Sequence, residues 1–388
     1  MRIGHYSPWL LSPGGINSYL RRVVEAQINQ GHQILLFNRP NLVPSTASCA
    51  FGASVVPTND DSQLLAMARQ HVLDVLHIHT HIVAYTEPSN GTPVVRTVHG
   101  HEPYCPSGRR HLRFPVNRPC PRACHILGCT WGHFINRCGS VRPANVLNDF
   151  KRVASERENS KRFFTIAVSE FVREQMIRSG HDGSRIDVIV NPAPASRGEY
   201  ERLVLKGGPR FLYLGRLVPE KGVDWLLHGV AKAETPLEVT IAGSGPNEPF
   251  LRNLADRLGI GRSIKWRGWL AEEEVRAEIT RAWAVILPSV WHEPAGLATV
   301  EAAAVGRMVI ASRVGGIPEY ADRLGNALLV EPYDIEGLAA TIRRVATTPS
   351  MAEQLGAEGW KRVPHLDLDS HVARLESVYE KAITERAI

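Results

Sequence analysis

The feature that most constrains this chain is an alternation that runs twice along it: short apolar strand, glycine turn, amphipathic helix, strand. RIGHYSP reads as a strand and is followed by a turn at Ser12-Pro13-Gly14-Gly15. Ile16, Tyr19, Leu20, Val23 and Val24 recur at helical spacing up to Gln30, Gly31 is a stop, and HQILLF returns as a buried strand. That order is the βαβ unit of a parallel sheet. VLHIH, PVVRTVH, FTIAVS and IDVIV continue the series. The segment from Asn191 to Gly198, NPAPASRG, reads as a linker, and beyond it the rhythm restarts with RFLYLG, LEVTIAG, SIKWRGWL, AWAVILPS, MVIASR and NALLV. Helices such as VDWLLHGVAKA and EEEVRAEITRA lie between these strands.

The expected fold is therefore α/β, with two Rossmann-like doubly wound domains. A length of 388 residues agrees, since it exceeds one comfortable core. Residues 1–192 form the first domain, with a Cys/Arg-rich insertion at about 100–150, and residues 193–370 the second. Residues 371–388 read as a terminal helix packing back toward the N-terminal domain. Such sheets bind ligands at the carboxyl ends of their strands, so two of them facing one another predict a shared cleft.

Composition narrows the function classes. Hydrophobic residues at 44% and charged residues at 22% exclude a disordered or fibrous chain. No run approaches the roughly 20 apolar residues of a membrane-spanning helix. The start, MRIGHYSPWLLSPGG, is too polar for a signal peptide. A cytoplasmic protein is expected, able to sit at the inner face of the membrane. Net charge is +6, yet residues 96–162 alone hold 13 Lys and Arg against 4 Asp and Glu. Such a stretch attracts phosphates, an anionic membrane or an acidic substrate, or is a solvated basic face. Trp131, Phe114 and Phe134 lie there without any RNA- or DNA-reading motif, so no nucleic-acid partner is expected. Five of the six cysteines, Cys105, Cys120, Cys124, Cys129 and Cys138, share the stretch with His125 and His133. A structural zinc site and buried, inert thiols are both open readings.

Two motifs carry chemistry. GRLVPEKG, Gly215 to Gly222, follows strand RFLYLG and sets Arg216 and Lys221 beside a helix starting near Val223. Two cations at a helix N-terminus suit a diphosphate, although a turn with a surface Arg and Lys is the readier account of them when taken alone. PSVWHEPAGLATVE places Glu293 ahead of Pro294, opens a helix at Gly296, and carries Glu301 on its second turn. Carboxylates accept from sugar hydroxyls, and the amides of Ala295, Gly296 and Leu297 can serve an anion between them. IAGSGP, with Gly243, is a weaker glycine turn, and VGGIPE is a strand-end glycine pair.

GRLVPEKG, IAGSGP, PSVWHEPAGLATVE and VGGIPE, in this order, resemble the retaining glycosyltransferases of family GT4, whose fold is GT-B. The likeness is dense over residues 205–330 and thin before residue 200. It implies a nucleotide-diphosphate sugar as donor and co-substrate, with no further cofactor and no catalytic metal. Arg216 and Lys221 match the pair on the diphosphate, Glu301 the acid on the ribose, and Glu293 the acid near the donor sugar. Gly296 and Leu297 supply amides, Gly15 matches the N-terminal loop glycine, and His99 the histidine beside the donor sugar. Transfer to a hydroxyl of a sugar, glycan or lipid-linked acceptor follows, as in polysaccharide or glycoconjugate synthesis. Peripheral membrane contact through Arg109, Arg110 and Arg113 accompanies a lipid-linked acceptor. A GT-B epimerase or phosphorylase is the nearest alternative. Ala295 stands where the family carries an aromatic residue, and Pro192 follows Asn191 where it carries glycine.

Overall fold

The computed structural model describes residues 1–8, 10, 15–39, 49–82, 91–115, 117–193 and 200–387. Ser12 to Gly14 of the first turn, and residues 194–198 of the linker, lie outside the described residues. The chain divides into two compact units: residues 1–109, 122–192 and 367–388 form one, residues 110–121 and 193–366 the other.

The N-terminal unit is built on an eight-stranded sheet. Its spatial order is Ile186–Val188, Phe164–Ala167, Val94–Val98, Val75–Ile78, Arg2–Tyr6, Gln33–Asn38, Ala53–Pro57 and Cys49–Ala50. All pairs are parallel except the last. Chain order runs outward in both directions from Arg2–Tyr6, so the topological switch lies between it and Val75–Ile78. These strands are buried along nearly their whole length, which is why they read as unbroken apolar runs. The helix Leu368–Ala387 adds Val372, Leu375, Val378, Tyr379 and Ala382 to the core formed by the Gly15–Asn29 helix and this sheet.

The C-terminal unit carries a six-stranded parallel sheet in the order Ile264–Gly268, Glu238–Ala242, Arg210–Leu214, Ala284–Leu287, Met308–Ser312 and Ala327–Val330. Numbered along the unit this is 3-2-1-4-5-6, the doubly wound dinucleotide-binding arrangement. The crevice it predicts lies beyond Leu214 and Leu287. Both chemistry-bearing motifs begin at these two strand ends.

The insertion differs from its expected irregularity. It contains a short hairpin, His111–Leu112 with Arg118–Pro119, and two helices, Ile126–Phe134 and Pro143–Asn159. Its residues 110–121 belong to the C-terminal unit.

Candidate active site

In the C-terminal unit the two motifs meet. Lys221, at the end of a single helical turn Pro219–Lys221, donates from Nζ to Glu293 Oε1 at 2.6 Å. Ser289 Oγ donates to the same oxygen at 2.5 Å. Lys221 also lies over the Trp291 ring, 5.2 Å from its centre. Both charged side chains are largely but not fully covered, so the pair stays open to a ligand. Residues 72 apart in sequence thus form one ionic unit at the switch point.

The backbone explains why the geometry holds. Gly315 has φ +59°, and a Cβ there would sit 2.1 Å from the Glu293 carbonyl oxygen. Glycine lets this turn close against Glu293, whose carbonyl then accepts from Gly316 N at 2.7 Å. Gly243 has φ +141°, and its Cβ would fall 1.8 Å from the Gly215 carbonyl oxygen. The two strand-end turns therefore touch backbone to backbone, and a side chain at Gly243 would push the Arg216 loop outward. Tyr213 Oη donates to the Arg216 carbonyl at 2.8 Å and fixes that loop from below, while Arg216 itself is exposed. Gly296 is the N-cap of the Leu297–Ala303 helix and supplies no side-chain cap, which leaves the first amides for an anion. Glu301 lies half-buried on that helix, and Glu293 stands in the loop before it.

Residues missed by sequence reasoning flank the pair. His292 Nε2 donates to the Cys120 carbonyl at 3.1 Å, and Asn117 Nδ2 donates to the Pro219 carbonyl at 3.4 Å. Arg113 lies 4.0 Å from Glu220. The hairpin segment thus packs beside the Lys221 turn. Burial holds His292 neutral, its pKa lowered to about 4, so it acts as a donor and not as a cation.

In the N-terminal unit Gly15 is the exposed first residue of its helix. His99 follows strand Val94–Val98 and heads a row of imidazoles. Its Nε2 is 3.2 Å from His79 Nδ1, His79 Nε2 is 3.0 Å from His5 Nδ1, and His5 Nε2 is 2.8 Å from Gln27 Oε1. With the Gln27 carbonyl oxygen facing His5, each neutral ring in the row donates from Nε2 and accepts at Nδ1. His99 therefore carries its proton on Nε2 and offers Nδ1 as an acceptor. A second branch runs from Gln27 Nε2 through Tyr379 Oη to His77 Nδ1, and from His77 Nε2 to Thr97 Oγ1. Burial lowers every one of these histidines. His5 falls to about 4 and His99 to about 3, with the positive potential of His371 adding to the second. Substituting Gln27→Met removes the acceptor that orients the row, and His99 should then populate both tautomers. Gln27→Glu keeps the acceptor and should keep Nε2–H. Histidine 15N spectra read this directly, and an unchanged His99 signature in Gln27→Met would refute the orientation.

His5, His77 and His79 are the one group of three metal-ligating side chains, among the described residues, that lie close enough to share an ion. Every ring nitrogen of the three already has a protein partner, so an ion would have to displace these bonds. The cysteines of the insertion contribute no such group. Cys120 belongs to the C-terminal unit, whereas Cys105, Cys124, Cys129 and Cys138 belong to the N-terminal one. The Cys124 and Cys129 thiols share a hydrogen bond that pushes Cys124 up and lowers Cys129 to about 6.

Residues 201–362 match the family model of the group 1 glycosyl transferases. A glycogen synthase of Mycobacterium tuberculosis is 34% identical over 175 residues, which cover 44% of this chain and 42% of that protein. The chain thus spans about two fifths of the length of that curated relative. Among solved structures, sucrose-phosphate synthase from Thermosynechococcus elongatus superposes with a TM-score of 0.75, at 18% identity over 99% of each chain. The Anabaena protein HepE, solved with UDP-glucose, superposes with a TM-score of 0.68, at 17% identity over 98% of this chain and 100% of that one. The fold is GT-B, with two Rossmann-like sheets.

Proposed function

We propose that this chain, whose residues 201–362 match the group 1 glycosyl transferases, is a member of that family and moves a hexosyl group from a nucleotide-diphosphate sugar to an acceptor hydroxyl with retention of anomeric configuration. The observation that carries this reading is the Lys221–Glu293 pair at the switch point of a 3-2-1-4-5-6 sheet. A cation there meets the diphosphate, and a carboxylate beside it meets hydroxyls. HepE was solved with UDP-glucose on the same fold, which supports a nucleotide sugar as co-substrate.

The chemistry follows from these groups. Arg216, Lys221 and the amides at Gly296 and Leu297 hold the diphosphate and stabilise the charge that builds on it as the glycosidic bond to the sugar breaks. Glu301 accepts from the ribose hydroxyls and Glu293 from the donor sugar. His99, neutral, accepts a hydrogen bond from a sugar hydroxyl at Nδ1, and the hydroxyl keeps its proton. The acceptor oxygen attacks on the face the diphosphate leaves, and a phosphate oxygen takes its proton. Positioning and electrostatics then supply most of the acceleration. The acceptor is a sugar, glycan or lipid-linked saccharide.

A thermal-shift panel of UDP-, GDP- and ADP-sugars identifies the donor, and turnover is then measured with it. Lys221→Ala and Glu293→Gln should each lower kcat/KM by at least about tenfold, roughly 1.4 kcal/mol of transition-state binding. Turnover at the level of the unsubstituted chain in either variant would remove the site assignment.

A further inference from the structure

Fifteen large apolar side chains stand exposed among the described residues, and seven of them fall between Ile126 and Leu147. The helix Ile126–Phe134 is the centre of this concentration. Leu127, Trp131, Phe134 and Ile135 follow one another at spacings of four, three and one, so they share one helical face. Leu127 is 82% exposed, Ile126 72% and Trp131 57%. The opposite face is buried, and it is the more polar one. Gly132 and His133 point inward, His133 Nδ1 donates to the Ser140 carbonyl at 2.9 Å, and a Cβ on Gly132 would lie 3.1 Å from Cys138 Sγ.

A surface helix in water shows the reverse, with apolar residues inward and polar residues outward. This helix is also held firmly in place. Arg122 donates from Nη1 to the Gly128 carbonyl at 3.2 Å and to Asn136 Oδ1 at 2.9 Å, and His125 caps its N-terminus by accepting from Gly128 N. The apolar face is thus displayed by a packed element, not left over from a loose one. Residues 122–151 carry four Lys and Arg against one Asp, and Arg137, Arg142 and Lys151 are exposed.

We propose that the Ile126–Phe134 helix is a docking face for an anionic lipid bilayer, lying in the headgroup layer with Leu127, Trp131 and Phe134 inserted and Arg137, Arg142 and Lys151 on lipid phosphates. Charge complementarity selects this occupant. An apolar stripe with tryptophan, followed in sequence by exposed cations, is the composition of an interfacial segment, and tryptophan favours the headgroup level. No helix among the described residues is long and apolar enough to cross a membrane, so the contact is peripheral. The expectation placed on Arg109, Arg110 and Arg113 concerns a different segment. Arg110 is buried, and Arg110 and Arg113 lie in the segment that belongs to the C-terminal unit. The proposal rests on the helix alone and is independent of the transferase reading.

The experiment is cosedimentation of the full chain with vesicles of phosphatidylglycerol and phosphatidylcholine, against phosphatidylcholine alone, at low and high salt. The chain should partition onto the anionic vesicles, more weakly in high salt. Leu127→Ser with Trp131→Ser should lower partitioning at least about tenfold. Arg137→Gln, Arg142→Gln and Lys151→Gln should lower it by roughly fivefold per cation on anionic vesicles. All five positions are surface ones, and circular dichroism checks that each variant is folded. Absence of binding to anionic vesicles, or equal binding by the Ser variant, overturns the proposal. So does lipid-free self-association that the Ser variant abolishes, which would assign the face to a second copy of the chain.

Discussion

Lowering the pH from about 7.5 to about 5.5 should cost the N-terminal unit several kcal/mol of stability, and the C-terminal unit less. His5, His77, His79 and His371 are all at least 95% buried. Burial is the first cause of each shift, holding His5 and His371 at about 4 and His77 and His79 well below the ordinary value. For the last two, the neighbouring histidines add to it. The folded state therefore stays unprotonated where the unfolded chain, titrating near 6.5, takes up protons. Stability rises with pH wherever the unfolded state binds more protons, so the contribution of these rings is complete above about 6.5 and is lost as pH falls toward about 4. At about pH 5.5 each of these rings gives up on the order of 1 kcal/mol, and together they reach the lower range of an ordinary domain's whole stability. The loss is cooperative, because the first proton to enter the row converts an acceptor nitrogen into a donor facing another donor. In the C-terminal unit burial lowers His292 to about 4. Hydrogen exchange resolves the two units. Amides of Arg2–Tyr6 and Val75–Ile78 should lose protection at about pH 5.5 while those of Arg210–Leu214 and Ala284–Leu287 keep it. Equal protection in both sheets at the two pH values would show that the imidazole row is not a stability switch.

What could be read from the sequence was what parallel sheets write plainly. Strands buried on both faces appear as apolar runs such as FLYLG and MVIAS, and each is followed by the glycine turn its geometry needs. The glycine and charge pattern after two of those strands marked Arg216, Lys221, Glu293 and Glu301. Their pairing across 72 residues, and the second donor from Ser289, are products of strand order and leave no local trace. The imidazole row did leave one, in HIHTH, where His77 and His79 alternate on a strand and so point the same way. Its partners His5, Gln27 and Tyr379 come from three other elements, and only the fold joins them. The helix Ile126–Phe134 escaped because periodicity is read as apolar residues facing a core, and here they face outward. The hairpin strands are two residues each, too short to show any period.

Removing one charge from the Arg96–Glu156 pair should be among the most damaging single changes in the molecule. Both side chains are fully buried and joined by an ion pair between Arg96 Nη1 and Glu156 Oε2. Glu156 Oε1 also accepts from the Ile82 amide at 3.2 Å, and Arg96 Nη2 donates to Thr165 Oγ1 at 3.4 Å. Burial lowers the guanidinium to about 10, the mark of a charge held in place at a desolvation cost and balanced by its partner. Glu156→Gln keeps the size and one acceptor but leaves that charge unbalanced, at a cost of about 3–5 kcal/mol. For a unit of this size that lowers the melting temperature by about 10 °C. Replacing both by Met should recover most of the loss, since an apolar pair carries no desolvation penalty. The consequence reaches the candidate site. Arg96 lies in the Val94–Val98 strand, immediately before His99, and Glu156 lies on the Pro143–Asn159 helix that closes the insertion. Glu156→Gln should therefore loosen His99 before it unfolds the unit, broadening the His99 Nε2–H signal at temperatures where far-ultraviolet dichroism is still native. A Glu156→Gln variant that melts with the unsubstituted chain would mean that the pair is balanced by solvent, and that the strand is anchored by packing alone.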